Sequence, residues 1–175
     1  MKKNLFINPF EKQPEQDPMA PTYIKPDGTK VIEQKNEFGL TVYELCPDTA
    51  LIMRSYDNNN KLVVDYMRHK NFEVGHNFDE FGNIIYQFES AYDEHNKLVR
   101  KNEYDIEYYD NGKKKAEIIT TFPNQTKTYL QYDINGKRTE KIIERGTVKT
   151  WYDENDKAFK REINRGSGGI ITEEL

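Results

Sequence analysis

Tyr132-Asp133-Ile134-Asn135-Gly136-Lys137 belongs to a set of six-residue stretches with one pattern: aromatic, Asp, two variable residues, Gly or Asn, then Lys or Asn. The pattern also stands at Tyr56-Asp57-Asn58-Asn59-Asn60-Lys61, Phe78-Asp79-Glu80-Phe81-Gly82-Asn83 and Tyr92-Asp93-Glu94-His95-Asn96-Lys97. Tyr152-Asp153-Glu154-Asn155-Asp156-Lys157 fits with Asp in the fifth place, and Tyr109-Asp110-Asn111-Gly112-Lys113 fits with one residue deleted. The fifth column of the full copies holds Asn60, Gly82, Asn96, Gly136 and Asp156, residue types that tolerate a left-handed backbone. The Asp of the second column is placed to accept a hydrogen bond from a backbone N–H two residues on. That closes a hairpin loop built from a type I turn and a bulge. Each stretch therefore reads as a turn.

Working outward, successive aromatic positions lie 22, 14, 17, 23 and 20 residues apart. The longer intervals hold two strands of ordinary length and a second turn, so the units are hairpins and the array is a meander. Turn signals at Pro26-Asp27-Gly28 and Cys46-Pro47-Asp48 extend it towards the N-terminus. In Glu103-Tyr104-Asp105-Ile106-Glu107-Tyr108 the residues alternate acidic and apolar, the pattern of a half-buried strand with an acidic outer face. Leu62, Val64 and Tyr66 alternate in the same way after the first repeat, as do Ile84, Tyr86 and Phe88 after the second. No segment shows a capped 3.6-residue period, so helix content is expected to be low. The fold class expected is all-β: tandem antiparallel β-hairpin repeats forming a meandering sheet, open or partly closed. Residues 1–21, with four prolines, read as an irregular tail, and 22–165 as the repeat domain. Residues 166–175 read as a flexible tail or a last short strand.

Composition fits a sheet better than a stacked helical core. Hydrophobic residues make up 35% of the 175 and charged residues 32%, with a mean hydropathy of -0.96, and 12 Tyr and 9 Phe supply much of the apolar surface. One covered face is expected. The net charge of -4 argues against a nucleic-acid backbone as ligand, because such binding depends on Lys and Arg releasing counterions. The charge is unevenly spread. Residues 73–110 carry ten acidic side chains against three basic ones, a net of -7, whereas residues 137–165 carry nine basic against six acidic, a net of +3. The single Cys46 rules out an internal disulfide, and no apolar run approaches the ~20 residues of a membrane helix. A cytoplasmic protein is the expectation.

Little catalytic chemistry is legible. Cys46 with His69, His76 or His95 would be the nucleophile and base, but nothing in the sequence brings them together, and Cys46 reads as a structural thiol at a turn. Asp57-Asn58-Asn59-Asn60 lacks the acidic alternation and terminal Glu of a calcium loop. No Cys/His pair has zinc-ligand spacing, and no glycine-rich phosphate cradle precedes a helix. The expectation is a protein without catalytic residues, metal or cofactor. The acidic, Tyr-rich middle reads either as a plain solvated sheet face or as a landing surface for a basic partner. The candidate contact residues are Glu89, Asp93, Glu103, Asp105, Glu107 and Tyr109.

Tyr108-Tyr109-Asp110-Asn111-Gly112-Lys113-Lys114-Lys115-Ala116-Glu117 resembles the variant MORN repeat of bacterial proteins, and Tyr132 through Arg138 is similar to the YD repeat of large Rhs-type toxins. The resemblance covers roughly residues 22–163, at the level of the repeat. It departs from ordinary MORN units in its uneven spacing and in lacking their regular Gly-Lys-x-x-Gly turns. Short proteins of this kind are often immunity proteins, so the resemblance implies an antitoxin that blocks a cognate toxin, while the charge and the lack of a long apolar run set the expectation of no nucleic acid or membrane as partner. A structural repeat module for scaffolding or envelope-glycan binding is the alternative. The Lys113-Lys114-Lys115 run is expected to blunt an exposed sheet edge, although an open edge would also let a partner add a strand.

Overall fold

The computed structural model describes residues 20–175. The tail expected over 1–21 therefore falls almost wholly outside the described residues. Among the described residues fourteen strands form one antiparallel sheet in strict chain order, each paired with its neighbours in sequence and the first and last forming the two edges. They are β1 Tyr23–Ile24, β2 Lys30–Asn36, β3 Gly39–Leu45, β4 Leu51–Tyr56, β5 Leu62–His69, β6 Phe72–Phe78 and β7 Ile84–Tyr92. They continue as β8 Leu98–Tyr108, β9 Lys114–Phe122, β10 Thr126–Tyr132, β11 Arg138–Arg145, β12 Val148–Tyr152, β13 Ala158–Asn164 and β14 Ile170–Glu174. The sheet is open: β1 does not pair with β14. The only helical piece among the described residues is a 3-10 turn at Gly166–Gly168, after which Ile170–Glu174 pairs with β13.

The repeat closes its hairpins as the pattern implies. In five copies one carboxylate oxygen of the second-column Asp accepts two backbone N–H groups, at 2.8–2.9 Å, from the residues two and four positions on. Asp133, for example, takes Asn135 and Lys137. The fifth-column residues adopt the left-handed backbone, from Asn96 at φ 60° to Gly136 at φ 87°. Each turn is followed by the same bulge, so that Gln131 pairs with Glu140 and Tyr132 with Arg138, leaving Thr139 without an opposite residue. The earlier turn signals share the frame. Lys25–Thr29 and Cys46–Ala50 make the same pair of backbone bonds, but Asp27 and Asp48 accept from the fourth column instead of the second.

The sixth copy is not a deletion. Tyr109 N–H donates to the Lys113 carbonyl and Gly112 N–H to the Tyr109 carbonyl, the bonds that Asp133 and Gly136 make in their own copy. Tyr108 thus takes the aromatic column and Tyr109 the Asp column, with the acceptor moved to Asn111, whose side chain takes the Lys113 N–H at 3.0 Å. Consecutive connections of a meander alternate between the two ends of the sheet. Five repeat turns therefore share one end, and the Tyr92–Lys97 turn stands at the other.

The expectation of one covered face does not hold. Residues directly opposite across an antiparallel pair point to the same face, and the register joins Tyr66 to Gly75, Gly75 to Phe88, Phe88 to Glu103 and Tyr86 to Asp105. Glu103 and Asp105 therefore lie on the face of Tyr66, Tyr86 and Phe88, and Tyr104 and Ile106 lie on the other. Among the described residues no second layer covers either face. Only Val31, Ile32 and Ile106 are buried apolar residues among those described, while most strand residues are half-buried.

Cross-strand pairs replace a core. Lys101 lies over the Phe88 and Phe122 rings at 5.5 and 5.9 Å, and Lys160 over Trp151 at 4.5 Å. Arg54 bridges Glu44 and Asp65, and Phe88 has ring centroids 6.3 Å away in Tyr66, across the sheet, and in Tyr86, two residues back on its own strand. The Lys113–Lys115 run does not guard an edge: Lys114 and Lys115 belong to β9, which is paired on both sides.

Candidate protein-binding surface

The six candidate residues do not form one patch. Glu103, Asp105 and Glu107 share a face of β8, at positions two apart. Glu89 pairs with Asn102, which puts it on the opposite face, where it accepts from the Gln87 side chain at 3.3 Å. Asp93 closes the β7–β8 turn at one end of the sheet and spends an oxygen on His95 and Lys97 N–H. Tyr109 sits at the other end, its hydroxyl donating to the Tyr132 carbonyl at 2.8 Å, so it staples two neighbouring repeat turns together.

Within the β8 trio the carboxylates differ. Glu103 is paired with Lys101 at 2.6 Å and accepts the Tyr86 hydroxyl at 3.2 Å. Burial, together with the Glu103 and Asp105 charges, pushes the Tyr86 phenol up to about 12. Glu107 faces Lys115 at 3.3 Å in a pair where both side chains are more than half exposed, so the pairing is weak. Asp105 is exposed and makes no ion pair among the described residues. Asp105 and Glu107 are thus the carboxylates of this trio open to a partner.

Sequence reasoning missed the sheet end. The turns β2–β3, β6–β7 and β10–β11 all lie there and carry Phe38, Phe81 and Ile134 at their tips, 66%, 81% and 57% exposed. Between β6–β7 and β8–β9 this end opens into a groove of about 640 Å³ with Ile106 in its lining beside Phe81, Ile85 and Tyr108. The signal was present as Phe81 in a column otherwise holding Asn and His, but its partners Ile85 and Ile106 come from other strands. A second groove, of about 430 Å³, crosses β11–β13 over Ile143, Val148 and Ile163 and is lined by Arg145 and Arg161.

Among the described residues no cluster suited to chemistry stands out. His69 Nε2 lies 3.7 Å from Asp48, in the turn that Cys46 opens, but no hydrogen bond joins Cys46 to a histidine among the described residues. Among those residues no group of three His, Cys, Asp or Glu side chains is placed to hold a metal, and no helix is long and apolar enough to cross a membrane. No family model matches the chain, and no curated protein matches it either.

Proposed function

We propose that this protein is a cytoplasmic immunity protein that binds a bacterial toxin and neutralises it by covering its active site or substrate path. The observation that carries the reading is the single-layer sheet, whose faces leave aromatic and charged side chains half covered. Such a surface suits a large protein contact better than a small-molecule pocket. Asp105 and Glu107, exposed on one face, supply charge that steers a basic partner, and the repeat-level resemblance to immunity proteins points to a toxin.

The test is parallel affinity capture from the native host with the wild-type chain and with the triple variant Glu103→Lys, Asp105→Lys, Glu107→Lys, the captured proteins being identified by mass spectrometry. The reading expects one stoichiometric toxin held by the wild type and bound at least about tenfold more weakly by the variant. Equal capture by both proteins removes this face from the interface. Capture of no toxin by either, while the toxin is expressed, removes the reading.

A further inference from the structure

We propose that the groove between the β6–β7 and β8–β9 turns anchors a partner segment that sets an arginine or lysine beside an apolar residue. The inference deepens the protein-binding reading and rests on it for the class of partner.

Three observations carry it. The turn does not need Phe81: Asp79 holds the loop through the Phe81 and Asn83 backbone N–H groups, which any residue supplies. The same column carries Asn59, His95, Asn111, Asn135 and Asn155 in the other copies. A ring 81% exposed at such a tip is a cost in water that a bound apolar group removes. Next, the ring stands beside the apolar wall of Ile85, Ile106 and Tyr108, so the tip belongs to a continuous concave surface.

The third observation is the charge. The acidic side chains of the groove are Asp79 and Asp110, Glu107 at its rim being turned to the other face, and no basic side chain is among the lining residues. Hydrogen bonding from the Asn83 side chain holds Asp79 below the ordinary carboxylate range, so it is an anion at neutral pH. Its oxygens are already engaged by Phe81 and Asn83, and it contributes field only. Asp110 makes no ion pair among the described residues and is the carboxylate free to meet a cation, whereas Glu107 shares the face of Glu103 and Asp105 and points away from the Ile106 wall. An arginine or lysine matches both features, because its aliphatic stem lies along apolar surface while its head meets carboxylate or ring. The groove on β11–β13 has the opposite sign, with Arg145 and Arg161 and no acid among its lining residues, and so serves as an internal control.

The test uses the full chain labelled with nitrogen-15 and two probes: a pentapeptide alternating arginine with leucine and tryptophan, and its counterpart with glutamate for arginine. The arginine peptide is expected to shift the amides of residues 79–85 and 106–112, and the glutamate peptide to leave them in place. Phe81→Asn and Asp110→Asn install residues that other copies carry in the same columns, Asn135 and Asn58, so the turns are kept. Each is expected to weaken the arginine peptide by about threefold or more. Shifts confined to other regions, an equal response to the glutamate peptide, or both variants binding as tightly as wild type would each overturn the proposal. No toxin enters the titration. Failure of the neutralisation reading leaves a positive peptide result standing, and a silent groove leaves neutralisation to the rest of the sheet.

Discussion

Replacing Asp133 by alanine tests how the repeat holds the sheet. Its Oδ1 accepts Asn135 and Lys137 N–H, both at 2.9 Å, in an exposed loop where water takes over once the carboxylate is gone. The nearest calibrated case is a helix N-cap, where losing the side-chain acceptor costs about 0.5–2 kcal/mol. With two bonds to one charged acceptor, about 1–2 kcal/mol is expected for Asp133→Ala, or roughly 2–8 °C in melting temperature for a chain of this size. Asp133→Asn keeps Oδ1 and should cost only a few tenths of that. Because strands touch only their neighbours, the loss should be local. Amide exchange should quicken at 133–137 and in the adjoining turn at 109–113, which Tyr109 ties to Tyr132 and Asn111 to Ile134, and stay unchanged at 93–97. Paired melting curves and exchange maps of the two variants decide it. An alanine variant within about 0.5 kcal/mol of wild type, the scatter of ordinary surface substitutions, or an asparagine variant as damaged as alanine, refutes the reasoning.

Gly39 has φ 145°, and a Cβ there would meet the Tyr56 carbonyl, so Gly39→Ala should lose about 2 kcal/mol or more in denaturant unfolding; Gly82→Asn, at a tip with open space, should be near neutral. Tyr86, raised to about 12 against an ordinary 10, is held neutral by the fold. Its stabilisation is complete below pH 10 and lost as pH rises through 12, so ultraviolet titration of wild type minus Tyr86→Phe should show one late phenol. A Tyr86 titrating with the bulk of the tyrosines contradicts the assignment. Asp156 is held below its ordinary 3.8 by a hydrogen bond from Lys141 and, beside it, by Arg138. The wild type should melt above Asp156→Asn at neutral pH, and the gap should close as pH falls below about 4. A gap that persists in acid rules the ion pairs out as its cause.

The turns were legible because their chemistry is local: an Asp and a left-handed residue three positions later are visible in six letters. The order of the sheet followed, since short hairpin connections leave neighbours in sequence as neighbours in space. The faces were not legible. Alternation in β8 says that Tyr104 and Ile106 share a side, but which side they share with Phe88 depends on cross-strand register and on the bulge after each turn. The same limit split the acidic candidates. Glu89 and Glu103 sit on adjacent strands, and only the pairing of Glu89 with Asn102 and of Phe88 with Glu103 puts them on opposite faces. The copy at Tyr109 misled for a local reason: two tyrosines in a row offered two frames, and the backbone bonds of Gly112 and Lys113 choose the one starting at Tyr108.

The most direct measurement is a neutralisation titration: the activity of the captured toxin, followed as this protein is added in known amounts. The account predicts a linear fall that reaches the baseline near one equivalent, with the Glu103, Asp105, Glu107 charge-reversed variant displaced to higher concentration. Full toxin activity in the presence of saturating, demonstrably bound protein would contradict it.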